Sequence, residues 1–164
     1  MSRVDVAPFE PVKFEGQDYD TAFGHAVEIC RAVSQTCGEL GIVLAIEPLG
    51  PDDTNFLNTS RETLGFIDAV GHPACRLQLD ARAMCSEDRK LTDIIREAGP
   101  TLAHFHANDA NLRGPGLGDL DFTPILAALT GIRYTGYISV QVFNYESGGP
   151  AIARRCLEYL RRLG

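Results

Sequence analysis

The chain has 164 residues, of which 45% are hydrophobic and 23% charged, with a formal net charge of −7. That length suits one domain with a real core, and the acidic balance argues against a nucleic-acid partner, because proteins that grip phosphate chains carry a basic patch or stripe. No run of ~18 apolar residues offers a membrane span, and residues 1–10 show no basic or apolar leader, so a cytoplasmic location is the expectation.

Residues 1–17 have no sustained period and read as an irregular lead-in. Residues 18–40 repeat apolar side chains at helical spacing, with Phe23, Ala26, Val27, Cys30, Val33 and Cys37 on one stripe and Gly41 as the stop. The run IVLAI at 42–46, closed by Glu47, predicts a short strand covered on both faces, as in a parallel sheet. After a turn-rich loop at 48–58, Thr59 and Glu62 fit a capping box, and Leu64, Phe66, Ile67 and Val70 give a helix face that ends at Gly71.

The unit then repeats. A strand at 76–79 ends at Asp80, and a helix at 86–98 is stopped by Gly99 and Pro100. A strand at 101–105 ends at His106, and Pro124 opens a short helix as its first residue. A last strand at 137–140 reaches Gln141, and Pro150 opens the final helix. The order α-βα-βα-βα-βα predicts an α/β fold of parallel strands joined by right-handed crossovers, in a single domain over 1–164 with no internal linker.

Each strand-like run terminates in a residue able to bind metal: Glu47, Asp80, His106 and Gln141. Parallel strands put all four on one side of the sheet, and in a barrel they converge around one mouth, where active sites sit. Two carboxylates, an imidazole and an amide oxygen suit a divalent ion such as Mn²⁺, Mg²⁺ or Co²⁺. His104 and His106 alternate along one strand, with the expectation that they face opposite sides. The five cysteines are odd in number and lack C-x-x-C spacing, so they read as reduced thiols; Cys85, after a strand end, is the best candidate among them for chemistry. The basic cluster Arg154, Arg155, Arg161 and Arg162 reads as a solvated helix face. No P-loop or dinucleotide fingerprint supports a nucleotide cofactor.

The segments IEPLGPDDTNF (46–56), LDARAM (79–84), HFHANDANLRGPGLGDLDF (104–122) and GYISVQVF (136–143) resemble the xylose isomerase-like barrel superfamily, and within it the sugar phosphate isomerase/epimerase group. The resemblance runs from about Ala22 to the C-terminus. It implies a parallel (β/α) half barrel of about four βα units, equivalent to strands five to eight of a TIM barrel. It implies a divalent metal (Mn, Mg, Co or Zn) on Glu47, Asp80, His106 and Gln141, and chooses His106 over His104. Glu47 and the residue at 141 would also be catalytic, exchanging protons on either face of the substrate carbon while the ion stabilises an enediolate. Asp53 stands where the family contacts substrate hydroxyls, Asn55, Asn108, Asp109 and Asn111 lie in loops of the same mouth, and Arg113 sits near a substrate-binding arginine.

Three departures from the family pattern stand out. A complete barrel needs ~250 residues, so four strands are absent, and the expectation is a homodimer that closes the barrel or a piece of a longer gene product. Gln141 replaces a glutamate and cannot act as a base, and Glu146 is a weak candidate to compensate. Ala83 replaces a histidine. Three readings result: an active sugar or polyol isomerase/epimerase, a non-catalytic remnant that binds metal or sugar, and an abasic-site endonuclease. The last needs more histidines than His25, His72, His104 and His106, and a basic face.

Overall fold

The computed structural model describes Gly16 and residues 18–164; apart from Gly16, the lead-in expected over 1–17 lies outside the described residues. Helix α1 (Tyr19–Glu39) starts where the Asp18 carboxylate accepts the Thr21 N–H at 3.1 Å. Val27 and Cys37 are buried as expected, and Phe23, Ala26 and Cys30 pack against the core. Val33 is exposed, however, and Ser34 is buried in its place. At 3.6 residues per turn the inward stripe steps from Cys30 to Ser34 to Cys37, which leaves Val33 on a second stripe with Ile29.

Strands β1 (Leu44–Ile46), β2 (Cys75–Asp80), β3 (Leu102–Ala107) and β4 (Ile138–Val140) form one parallel sheet in the order β1-β2-β3-β4. This is the open, partial barrel of the α/β class. β1 is shorter than the run at 42–46 and only half-buried, not covered on both faces. It is an edge strand, and Ile42 and Val43 before it are exposed.

Helix α2 (Ser60–Val70) begins with the expected capping box, in which Thr59 Oγ1 accepts the Glu62 N–H at 3.2 Å and Glu62 Oε2 accepts the Thr59 N–H at 3.0 Å. Gly71 closes it with a left-handed φ of 66°, a conformation only glycine adopts freely. The helix expected over 86–98 is shorter, α4 (Leu91–Ala98), and a separate short helix that the sequence reading did not include, α3 (Ala81–Met84), precedes it. Asp80 caps α3 directly at the strand end, and the turn that follows sends Glu87 back to α2, where its carboxylate accepts the Ser60 N–H at 2.7 Å. Helix α5 (Phe122–Gly131) starts two residues before Pro124, because Asp121 accepts the Thr123 N–H at 2.8 Å and sets the start. Pro150 lies in the first turn of α6 (Gly149–Leu163), where a missing N–H does no harm.

Alternation along the strands sorts the two faces of the sheet. Leu77, Leu79 and Phe105 are fully buried under Phe66, Ile94, Ile95, Phe122 and Ile125 from the helices. The opposite face carries Arg76, Gln78, Asp80, His104 and His106. Exposed large apolar side chains concentrate at the two ends of the sheet, with Ile29, Val33 and Val43 at the α1/β1 end and Tyr137, Ile138 and Leu157 at the β4/α6 end. Among the described residues no helix is long and apolar enough to cross a membrane. Phe105→Ala is expected to destabilise the fold by ~3–5 kcal/mol, because the central strand cannot collapse into the space left; chemical denaturation measures it.

Candidate metal centre

The site is built by register. Parallel pairing sets Asp80 opposite His106 in β2 and β3. Glu47 follows β1 directly, and the Gln141 N–H extends the β3–β4 ladder by donating to the Ala107 carbonyl at 3.1 Å. Glu47, Asp80 and His106 each offer one ligand atom, and the three atoms lie within 4.8 Å of one another. His106 Nδ1 stands 3.2 Å from Glu47 Oε1 and 3.7 Å from Asp80 Oδ2. Burial works against a charged His106, but hydrogen bonds and charge from Asp80 and Glu47 outweigh it and hold its pKa at about 9. The two carboxylates thus keep a proton on the ring at neutral pH, in the place where a cation fits. Two carboxylate oxygens and an imidazole nitrogen this close suit a divalent ion of the Mn, Co, Zn or Mg kind.

Gln141 joins the cluster through Asn108. The Asn108 amide donates to Asp80 Oδ2 at 2.6 Å and to Gln141 Oε1 at 3.1 Å, while its oxygen accepts the Arg82 N–H at 2.8 Å. It is fully buried. Both amide hydrogens are therefore engaged by protein, and Asn108 acts as the brace of the centre behind the positions that could meet a substrate. Asp109 is similarly turned inward: its carboxylate accepts the Asn111 N–H at 3.2 Å and the Leu120 N–H at 2.9 Å, which shapes the β3–α5 loop. Gly118 passes so close that a Cβ there would collide with the Asp109 carboxyl group.

Asp53 and Asn55 lie in the β1–α2 loop, with Asn55 exposed. Arg113 is exposed in the β3–α5 loop, and its backbone is pinned by Asn111 Oδ1 at 3.0 Å and by the Asp109 N–H at 2.8 Å. Glu146 engages Asn144, whose Oδ1 accepts the Glu146 N–H at 3.0 Å. His104 does not face away from His106. Their ring centroids are 5.1 Å apart at 87°, because residues two apart in a strand share a face. For Cys85, burial and the charges of Asp109 and Asp80 push the thiol pKa up, which makes it a poor nucleophile.

A family model described as xylose isomerase-like TIM barrel matches residues 3–163. The chain belongs to this family. It is 35% identical over 127 residues to a D-psicose 3-epimerase of Agrobacterium fabrum, covering 77% of this chain and 44% of that protein. It is 29% identical over 129 residues to an L-ribulose 3-epimerase of Methylomonas sp., covering 79% and 45%. A crystal structure of D-psicose 3-epimerase in the presence of D-fructose superposes with a TM-score of 0.78 at 31% identity, over 88% of this chain and 51% of the other. The chain thus spans about half the length, or less, of these family members.

One residue of the site carried no expectation from the sequence. Arg82, in the first turn of α3, donates from Nη1 to Asp53 Oδ2 at 2.9 Å, and its guanidinium carbon lies 5.6 Å from the centroid of the Phe143 ring. The signal was present in the D-A-R-A-M run: a strand-end carboxylate that caps a short helix throws the next side chains across the mouth. Asn108→Ala should destabilise the protein by ~1–3 kcal/mol, since it removes the 2.6 Å hydrogen bond to the buried Asp80 Oδ2 and leaves the Arg82 N–H without its acceptor; thermal or denaturant unfolding reads it.

Proposed function

We propose that this chain carries the metal-binding half of a ketose epimerase or isomerase site. The observation that supports this most is the Glu47, Asp80 and His106 cluster at the ends of adjacent parallel strands, in a chain 35% identical to a D-psicose 3-epimerase. A divalent ion held by these three residues, with the Gln141 amide oxygen as a fourth donor, would offset the negative charge that builds on a sugar carbonyl oxygen when the neighbouring carbon loses its proton.

Glu47 is the group suited to take that proton. Its side chain is 25% exposed, open enough to meet a substrate and close enough to the cluster to act beside it. Gln141 has the reach of a glutamate without its basicity, so inversion at a carbon by two bases on opposite faces is not available to this chain. One base suffices for proton shuttling along a single face, so the proposed reaction is isomerisation, with epimerisation strongly reduced. Asp53, Asn55 and Arg113 are the proposed substrate contacts, with Asn108 and Asp109 fixing the loops behind them. Gln141 also favours a second reading, in which the chain binds metal and sugar without turnover.

The partner proposed to complete the barrel is a second copy. The exposed apolar side chains stand at the two sheet ends that would meet in such a pair. The end helices are also complementary in charge: α1 and its cap carry Asp18, Asp20, Glu28 and Glu39 against Arg31 and His25, and α6 carries Arg154, Arg155, Arg161 and Arg162 against Glu158. Such a dimer would bury both unpaired edges.

Three measurements test these readings. Isothermal titration should show saturable Mn²⁺ binding that Asp80→Asn and His106→Ala each abolish; binding unchanged in both variants would remove the metal site. Gln141→Glu should raise ketose epimerisation by ~10²–10⁴ through the restored base, whereas an unchanged rate would mean position 141 is not the missing base. Light scattering at micromolar concentration should give twice the chain mass, and Ile138→Asp should halve it; a monomeric parent would reject the second copy.

A further inference from the structure

Hydrogen-bond polarity fixes which way the Gln141 amide points. The Arg82 backbone N–H can only donate, and it donates to Asn108 Oδ1 at 2.8 Å, so Asn108 turns its NH₂ group toward Asp80 and Gln141. Gln141 must then present its oxygen to Asn108, at 3.1 Å, and its own NH₂ group has no protein partner among the described residues. Glu47 is the reverse case. Its Oε1 faces His106 Nδ1 at 3.2 Å, and its Oε2 has no protein partner among the described residues. One chain thus carries an unspent donor at one end of its sheet and an unspent acceptor at the other.

Both residues stand directly past an edge strand and on the same side of the sheet, Glu47 after β1 and Gln141 after β4. The edges themselves match. The Leu44 N–H bonds to Ala74 at the start of β2, while the Tyr137 carbonyl and the Gln141 N–H bond to β3. Alternation in a parallel ladder then points the backbone groups of Ala45, Ile138 and Val140 outward. If β4 of one copy pairs in parallel with β1 of the other, two such seams close an eight-stranded barrel about a two-fold axis. Pairing like edges would instead set α1 against α1 or α6 against α6, because α1 packs beside β1 and α6 beside β4. The first would crowd Asp20, Glu28 and Glu39 against their copies, and the second Arg154, Arg155, Arg161 and Arg162. Unlike edges set acid against base. Neighbouring strands lie about 4.8 Å apart, so at each seam the Gln141 amide comes within reach of the second copy's Glu47.

We propose that Gln141 is the seam residue of a two-copy barrel, donating from Nε2 to Glu47 Oε2 of the second copy, so that each copy positions the other's proton-carrying carboxylate. The proposal rests on the reading that a second copy completes the barrel. It gives position 141 a role that glutamate cannot fill, since a carboxylate there sets two negative charges side by side at each seam.

The test is dissociation of the pair on dilution, followed by sedimentation of the metal-free chain. It compares the parent with Gln141→Met, with Gln141→Glu, and with the double swap of Gln141→Glu and Glu47→Gln. Each dimer holds two seams, so Gln141→Met, which keeps the length and loses the donor, should weaken pairing about hundredfold. Gln141→Glu should weaken it further, leaving a chain that pairs only at higher concentration. The double swap puts the acceptor where the donor was and the donor where the acceptor was, and should recover about tenfold or more of that loss. Amide NMR spectra check that each variant keeps the fold. If the parent is a monomer at every concentration, the second copy and the seam fall together. If the parent pairs and both single variants dissociate as it does, the second copy stands and the seam is wrong. If the single variants weaken pairing and the swap recovers nothing, the loss does not come from Gln141 meeting Glu47, and the seam is again wrong.

Discussion

Everything at the candidate site depends on one pairing, that of Asp80 with His106 across β2 and β3. Parallel strands present their C-terminal ends on one side, but only the correct register brings a carboxylate and an imidazole level there. A bulge between Leu77 and Gln78 shifts that register before the pair is reached, so the site depends on an irregularity in the ladder. The buried face of the same strands holds the register in turn. Leu79 and Phe105 are locked under helices, and a slip by one residue would drive Asp80 and His106 into the apolar layer.

That geometry sets an electrostatic problem which the rest of the mouth answers. Asp80 is 4% exposed, and a buried carboxylate without partners costs several kcal/mol. It is served from three directions: the Ala83 N–H at the start of α3, the Asn108 amide, and the charged ring of His106. The cap on α3 is therefore part of the site as much as part of the fold. It also explains why a separate short helix stands between β2 and α4, since the strand-end carboxylate caps its start.

The sequence made the strand ends legible because each apolar run stops at a polar residue, and Glu47, Asp80 and His106 needed no knowledge of contacts to be grouped. The capping box at Thr59 and the left-handed Gly71 were equally local signals. What could not be read locally was the partner of each loop side chain. Asn108 and Arg82 acquire their roles from residues 26 to 33 positions away, and no periodicity encodes such distances. The short helix at Ala81 went unread and the start at Phe122 was displaced for a related reason: an aspartate cap decides each, and Pro124 is a weaker signal than the carboxylate before it. The assignment of His104 and His106 to opposite faces was an error of strand geometry, and the β-strand period of two corrects it.

Position 141 separates the demands of the fold from those of the chemistry. Its side-chain oxygen accepts from Asn108 at 3.1 Å, and an amide oxygen or a carboxylate oxygen fills that role with the same length and reach. The brace is satisfied either way, so the geometry of the cluster gives no reason to prefer glutamate there. Basicity is different. An amide nitrogen's lone pair is delocalised into the carbonyl, and the group neither takes nor releases a proton near neutral pH, while a carboxylate does both. A chain can therefore keep its register, its brace and its cation-sized cluster intact while position 141 lacks a group that carries a proton. The fold places the donors, and the identity of a single oxygen-bearing group decides which reaction they can support.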